Sequence, residues 1–151
     1  MITYRKFTYD DIDIVTELRI KQLIEEGSKE TIDIRDNIKD YYKRHLADNS
    51  FISYLAIDDD KIVATSGIAY VEKPPYFTCP SGKIGLVTNM YTLPEYRRQG
   101  IAKKLLSMVI DEAKVYGCDC IQITASKMGV YLYTSFGFEK RDNFMQYIIK
   151  K

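Results

Sequence analysis

A chain of 151 residues with 46% apolar and 28% charged side chains is long enough to bury a core without staples, and it reads as one domain over residues 1–151. Its 22 Lys and Arg nearly cancel 21 Asp and Glu, which gives no support to a nucleic-acid binder or an acidic interaction tail. The opening stretch, "MITYRKFTYDD", lacks an apolar signal core and no run is long enough to span a bilayer, so a soluble, cytoplasmic protein without a membrane partner is expected.

In chain order, "MITYRKFT" alternates as a first strand. Asp10 or Asp11 then opens a helix with Ile12, Val15, Leu18, Leu23 and Ile24 on its inner side. A second helix is expected from about Thr31 to Leu46. "FISYLAID" and "KIVATSGIAYVE" are β-branched and aromatic runs around Asp58-Asp59-Asp60, the pattern of a hairpin. Three of the four prolines fall in "KPPYFTCPSGK" (73–83), a loop. "IGLVTNMYTL" (84–93) is a strand ended by Pro94.

The helix that follows buries Ile101, Leu105, Leu106, Val109, Ile110 and Ala113 at a clean 3.6-residue spacing. Gly117 stands where a left-handed C-cap belongs. "CDCIQITAS" is the next strand, Ser126 caps a short helix stopping at Gly137, and "FEKRDNFMQYIIKK" is predicted to close as a hairpin. The order is β-α-α-β-β-β-α-β-α-β-β, an α+β (three-layer) fold with a mixed, mostly antiparallel central sheet and helices on both faces. The strand–helix–strand unit over 84–123 requires a right-handed crossover and at least one parallel pair.

The odd feature is "EYRRQGIAKKLL". Helix starts favour Ser, Thr, Asp or Asn caps, and basic residues belong at the other end. Here Arg97, Arg98 and Gln99 precede Gly100, and Ile101, Ala102 and Lys103 open the helix. The first N–H groups of a helix have no intrahelical partner, and the dipole places roughly half a positive charge there. Gly100 has no Cβ and Ala102 a small one, so an anion can approach the backbone. Those are the elements of a phosphate or pyrophosphate site. Neither a P-loop nor a three-glycine dinucleotide fingerprint is present.

"NMYTLPEYRRQGIAKKLL" resembles the coenzyme-A-binding segment of the GCN5-related N-acetyltransferase (GNAT) superfamily. The signature Gln/Arg-x-x-Gly-x-Gly/Ala is met by Arg97, Gly100 and Ala102, and the lead-in by Pro94, Tyr96 and Arg97. Downstream, "ASKMGVYLYTSFGF" (125–138) resembles that family's second landmark, "A-S-x-x-G-x-x-L-Y-x-x-x-G-F". The resemblance implies an acetyl-CoA-dependent N-acetyltransferase that needs no metal and passes acetyl directly to a primary amine in a ternary complex. The acceptor would be a small-molecule amine or a peptide. The pyrophosphate would rest on the backbone of 97–102, with Arg98, Gln99, Ile101 and Lys103 around it. The pantetheine arm would pair with the strand where it parts from strand 119–124. Met90, Tyr91 and Thr92 would line the thioester, polarised by backbone N–H near Met90 and Tyr91. Tyr133 would protonate the departing thiolate. Family members are often dimers, so a homodimer is among the expected partners.

At the position where many members carry Glu or Asp, this sequence has Asn89. An amide cannot act as a base, but it can orient a water or the amine. That departure keeps a second expectation open, a non-catalytic CoA or acyl-CoA sensor. Glu25, Glu26 and Glu30 surround the first inter-helix loop, which the resemblance places on the acceptor side, either as a solvated acidic loop or as a rim for cationic amines. His45 reads as a partner of its helix's C-terminus. Cys79, Cys118 and Cys120, an odd count without a matching His or Cys pair, read as free thiols and not as a zinc site.

Overall fold

The computed structural model describes residues 1–141 and 143–150. Strand β1 (Ile2–Lys6) is followed by a 3-10 turn (Tyr9–Asp11) and helix α1 (Ile12–Glu25). Asp11 fixes that corner. Its carboxylate accepts the Thr8 N–H at 2.8 Å and a two-pronged pair from Arg5 at 2.7 and 2.9 Å. The buried face of α1 runs through Ile12, Val15, Thr16, Ile20 and Gln22, while Ile24, expected inside, is exposed. Helix α2 (Arg35–Ala47) starts four residues after Thr31, because the Asp33 carboxylate takes the Arg35 N–H at 3.0 Å and turns the chain only there.

The next strands are β2 (Phe51–Ile52), β3 (Tyr54–Asp58), β4 (Lys61–Thr65), β5 (Ile68–Glu72), β6 (Lys83–Val87) and β7 (Tyr91–Thr92). The β3–β4 turn places Asp59 and Asp60 at φ of 45° and 71°, the two left-handed residues whose turn matches the twist of the strands. Helix α3 (Ile101–Tyr116), strand β8 (Cys120–Ile123) and helix α4 (Val130–Ser135) complete the ordered elements. Gly117 caps α3 at φ 96°. Ser126 accepts the Gly129 N–H at 3.3 Å and so caps the turn before α4.

The expected sheet is present as two four-stranded halves, β1-β3-β4-β7 and β2-β5-β6-β8. Every pairing is antiparallel except β6 with β8. The runs anticipated as single strands are each interrupted, at Ser53, at Ser66–Gly67 and at Thr88–Met90. The register puts these interruptions at one level, since Ile68 faces both Ile52 and Val87, and Thr65 faces both Leu55 and Tyr91.

One backbone bond persists at this level, from the Thr88 N–H to the Gly67 carbonyl at 2.9 Å, and hydroxyls bridge the rest. Ser53 Oγ donates to the Ser66 carbonyl at 2.5 Å, Ser66 Oγ to the Tyr54 carbonyl at 2.7 Å, and Thr65 Oγ1 to the Asn89 carbonyl at 2.6 Å. All of these donors are buried, where an unmade bond would cost ~1–3 kcal/mol. Gly67 is bare by necessity, as a Cβ there would stand 2.7 Å from the Phe51 ring.

Alternation along β3 covers both faces: Leu55 and Ile57 pack with Phe7, Ile12, Val15 and Tyr42 under α1 and α2, and Ala56 packs with Ile101 and Leu105 of α3. Helix α3 spans both halves. Ile101 and Leu105 sit against Val63, Ala64, Tyr91 and Leu93, while Leu106, Val109 and Ala113 sit against Ile68, Val87 and Tyr133.

The hairpin predicted over 138–151 is not formed in the described residues, which leave Asp142 and Lys151 aside. Residues 139–141 and 143–150 carry no strand. The first arm, Glu139-Lys140-Arg141, is exposed and has no apolar face to bury, and an isolated two-stranded hairpin is at best marginal in water.

Asp11 yields a stability prediction. Arg5 above all, and then the Thr8 N–H, hold its carboxyl below the ordinary range, so it stabilises the fold above pH of about 4 and that contribution is lost as pH falls toward its folded-state pKa. Asp11→Asn should lower the urea-unfolding free energy at neutral pH by roughly 1–2 kcal/mol and flatten the acid side of the stability profile. An unchanged profile would show that the corner does not depend on the charge.

Candidate active site

Strands β6 and β8 run parallel in register from Ile84–Cys120 to Val87–Ile123. Beyond Val87 the chain leaves β8, and Tyr91–Thr92 pairs with β4 instead. Asn89 makes the switch at φ 59°, a left-handed conformation that asparagine tolerates better than most residues. Its side chain is 5% exposed; Nδ2 donates to the Tyr42 hydroxyl and Oδ1 accepts from Thr88 Oγ1 at 3.1 Å. The amide thereby ties α2 to the point of divergence.

Beyond β7 a 3-10 turn (Pro94–Tyr96) leads to Arg97. Arg98 at φ 62° and Gly100 at φ 81° flank Gln99, and the arginine's backbone stores on the order of 1–3 kcal/mol of strain. No side chain caps α3, and its first backbone bond is Lys104 N–H to the Gly100 carbonyl at 3.1 Å. The amides of Ile101, Ala102 and Lys103 therefore lie ahead of any intrahelical acceptor. This edge of backbone can receive an anion, and the dipole of a sixteen-residue helix stands behind it.

Arg97 does something the sequence did not disclose. Its Nε donates to the Thr92 carbonyl at 2.8 Å, and its guanidinium pairs with Glu25 at 2.7 Å while lying over the Tyr91 ring. It fastens the end of α1 to β7 and the turn. The Tyr91 hydroxyl is buried beside Glu25 without a well-formed bond, and burial first, then that carboxylate, push its pKa up to about 12.

Gln22 was missed. It is buried on α1 and donates through Nε2 to the Met90 carbonyl at 3.2 Å, with Glu26 on the same nitrogen at 3.4 Å. The available signal was position: Gln22 stands one turn from Leu18 and two from Val15, a polar side chain at an apolar place in the stripe.

Tyr133 is 7% exposed, among Ile68, Val87, Leu106 and Val109, with Met90 at the edge of the same cluster. Its hydroxyl has no hydrogen-bond partner among the described residues. Burial, and then the charge of Glu26, push its pKa up to about 12. Gly129 fits under the ring, where a Cβ would come within 2.6 Å of Tyr133 Cε2. Tyr131, by contrast, is exposed.

Met90, Tyr91, Thr92, Asn89 and Tyr133 thus cluster around the divergence, and residues 97–103 form the turn and helix start beside it. The acidic side chains are spoken for: Glu25 pairs with Arg97, Glu26 with Gln22, and Glu30 with Arg35 at 3.7 Å. His45 bonds Ser50 and packs at a tilt against Tyr41 at the end of α2, outside this cluster. The three cysteines are free thiols, and among the described residues no group of His, Cys, Asp or Glu is gathered to hold a metal. Among the described residues no helix is long and apolar enough to cross a membrane. Two surface concavities, of about 430 and 270 Å³, lie over α1 and beside β2 and share no residue with the cluster; the feature suited to an anion is a backbone edge.

Comparison with known proteins bears on the family and the fold. The family model described as "Acetyltransferase (GNAT) domain" matches residues 49–140. A protein from Clostridium acetobutylicum described as a predicted acetyltransferase, solved with acetyl-CoA, is 36% identical, with a TM-score of 0.94 over 99% of this chain and 97% of that one. A GCN5-related N-acetyltransferase from Ralstonia eutropha shares the fold at 24% identity, TM-score 0.92, over 99% and 100% of the two chains. The aminoglycoside N-acetyltransferase AAC(6')-Iy, solved with CoA, shares it at 19% identity, TM-score 0.77, over 100% and 96%. No curated protein sequence matches. The chain belongs to the GNAT acetyltransferase family.

Proposed function

We propose that this acetyltransferase binds acetyl-CoA where the chain beyond β6 parts from β8 and transfers the acetyl group directly to a primary amine, of a small molecule or a peptide, in a ternary complex. The observation that carries this reading is the pairing of an uncapped α3 start with the buried ring of Tyr133, whose hydroxyl makes no hydrogen bond among the described residues, across one break in the sheet. The pyrophosphate fits the amides of Ile101, Ala102 and Lys103, with Arg98 and Gln99 beside them and Gly100 leaving the approach open. Met90, Tyr91 and Thr92 flank the acyl group, their backbone directed by Gln22 on the Met90 carbonyl and by Arg97 on that of Thr92.

The reaction forms a bond from amine nitrogen to carbonyl carbon and breaks the carbon–sulfur bond. One proton leaves the amine and one is supplied to the thiolate. Tyr133 is assigned as the donor. A phenol near 12 is a poor acid toward a thiolate whose conjugate thiol ordinarily titrates near 8.5. The apolar surroundings that raise the phenol raise a thiol placed there as well, which narrows the gap and keeps the hydroxyl protonated across the working range. Asn89 is assigned a positioning role: with both ends of its amide engaged by Tyr42 and Thr88, it holds the backbone switch in place.

Four results are expected. With an amine panel and acetyl-CoA, free thiol is released in step with N-acetylated product; no turnover on any amine beside tight CoA binding would sink the enzymatic reading. Tyr133→Phe lowers kcat by roughly 10²-fold or more with the KM for acetyl-CoA nearly unchanged. Because the donor stays protonated to about pH 12, the wild-type kcat profile rises as the amine deprotonates and shows no falling limb below about pH 11; retention of full kcat by the Phe variant across that range would remove Tyr133 from the role. Gly129→Ala, which displaces the ring without removing the hydroxyl, also lowers kcat and spares CoA affinity. Equal losses in both quantities would assign Gly129 to the fold alone.

A further inference from the structure

The transfer proposed above uses none of the three thiols, yet two of them meet. The loop over 73–83 is a formed structure. Tyr76 and Cys79 exchange both backbone hydrogen bonds, at 3.2 and 3.0 Å, and the Cys79 carbonyl also takes the Gly82 N–H at 3.0 Å. Asp119, just ahead of β8, fastens the loop to the sheet by accepting the Ser81 N–H at 2.7 Å. Cys79 is thereby set, fully buried, beside the start of β8.

Each sulfur rests on backbone next to the other cysteine. Cys120 Sγ donates to the Thr78 carbonyl at 3.1 Å, the group that joins Thr78 to Cys79. Cys79 Sγ donates to the Lys83 carbonyl at 3.5 Å, and that carbonyl also accepts the N–H of Asp119, the residue before Cys120, at 3.1 Å. The two thiols therefore face one another within hydrogen-bonding reach. Cys118 packs instead with the α3 cluster of Leu106, Val109 and Ala113. Exposure separates the pair, since Cys79 is sealed and Cys120 only partly covered. One thiol is open to a reagent, and the second is open only to the first, which is the arrangement of an attacking and a resolving cysteine.

We propose that Cys79 and Cys120 form a reversible disulfide with each other when the protein meets a small disulfide of the glutathione class. The Cys120 thiolate attacks one sulfur of that disulfide and expels the other half as a thiolate, which takes up a proton. The Cys79 sulfur, its proton given up, then attacks Cys120 Sγ and expels the second half. One small disulfide is reduced to two thiols, and the two cysteines are oxidised by the same two electrons. The new bond ties the loop to the first residue of β8 and closes a ring that contains β6, β7 and α3. It lies at the Ile84–Cys120 end of the parallel pair, opposite the Val87–Ile123 end where the chain parts. The bond therefore braces the ladder without entering the binding edge. Burial first, and then Cys79, hold the Cys120 thiol above its ordinary range, so little thiolate is present at neutral pH and the exchange begins slowly.

The full chain is incubated with oxidised glutathione at pH of about 8.5, where thiolate is populated. It is expected to lose two of its three free thiols and to retain no glutathione. Tandem mass spectrometry of unreduced peptides should find Cys79 joined to Cys120. The Tm should rise by roughly 5–10 °C, and dithiothreitol should reverse both changes. Cys118→Ser is expected to form the same bridge, whereas Cys79→Ser keeps a glutathione on Cys120 for want of the resolving thiol. Three thiols left free, glutathione held on Cys120 of the wild type, or a bridge through Cys118 overturns the proposal. A Cys79–Cys120 bridge that leaves the Tm unchanged or lower overturns the bracing role. If Cys79→Ser does not fold, the peptides of the wild type and of Cys118→Ser decide by the same criteria.

Discussion

The rest of the structure depends on one break in hydrogen bonding. Three adjacent strand runs abandon their ladder at one level, and Ser53, Thr65, Ser66 and Asn89 take over with side-chain bonds that stay buried. A continuous sheet at this level would leave no strand edge for a ligand to pair with. The break must be filled, since unsatisfied groups there would each cost about as much as a lost hydrogen bond. Short hydroxyls fill it at little volume. Asn89 supplies the left-handed residue that the change of partner requires, and α3 packs across both halves and holds them at a fixed distance.

What the break opens, the α3 start completes. A helix without a side-chain cap carries an electrostatic demand at its N-terminus, and here that demand stands beside the point where the chain beyond β6 parts from β8. The arginines before it play unequal parts. Arg97 is a brace from α1 to β7, through Glu25 and the Thr92 carbonyl, while Arg98 takes a strained left-handed backbone that shapes the turn. Tyr133 closes the far side, buried deeply enough that its proton is retained at any ordinary pH. Charge at one end and an apolar, protonated phenol at the other suit a cosubstrate with an anionic body and a thioester tip.

Much of this was legible in the sequence, for identifiable reasons. Helix α3 followed from a strict 3.6-residue stripe between two glycines, and the turn before it from basic residues where caps belong. The β3–β4 hairpin followed from consecutive aspartates. The split of the sheet was not legible, because Ser66, Gly67 and Thr88 are compatible with strands and only their common level reveals the interruption. Gln22 was hidden for a similar reason: its role depends on a carbonyl sixty-eight positions away. The start of α2 was placed early because an Asx turn at Asp33 competes with helix over 31–34. The closing hairpin failed because "EKR" offers its first arm no surface to bury, although its second arm has every local mark of a strand.

The central claim is that the divergence at Asn89 and the uncapped start of α3 form one binding edge made of backbone. Amide chemical shifts followed during a titration with acetyl-CoA test it most directly. The largest changes are expected to fall together, with one dissociation constant, on the amides of Met90–Thr92 and Ile101–Lys103, while those of α2's outer face stay still. Saturable binding with its largest changes elsewhere, or changes at only one of the two segments, would contradict it.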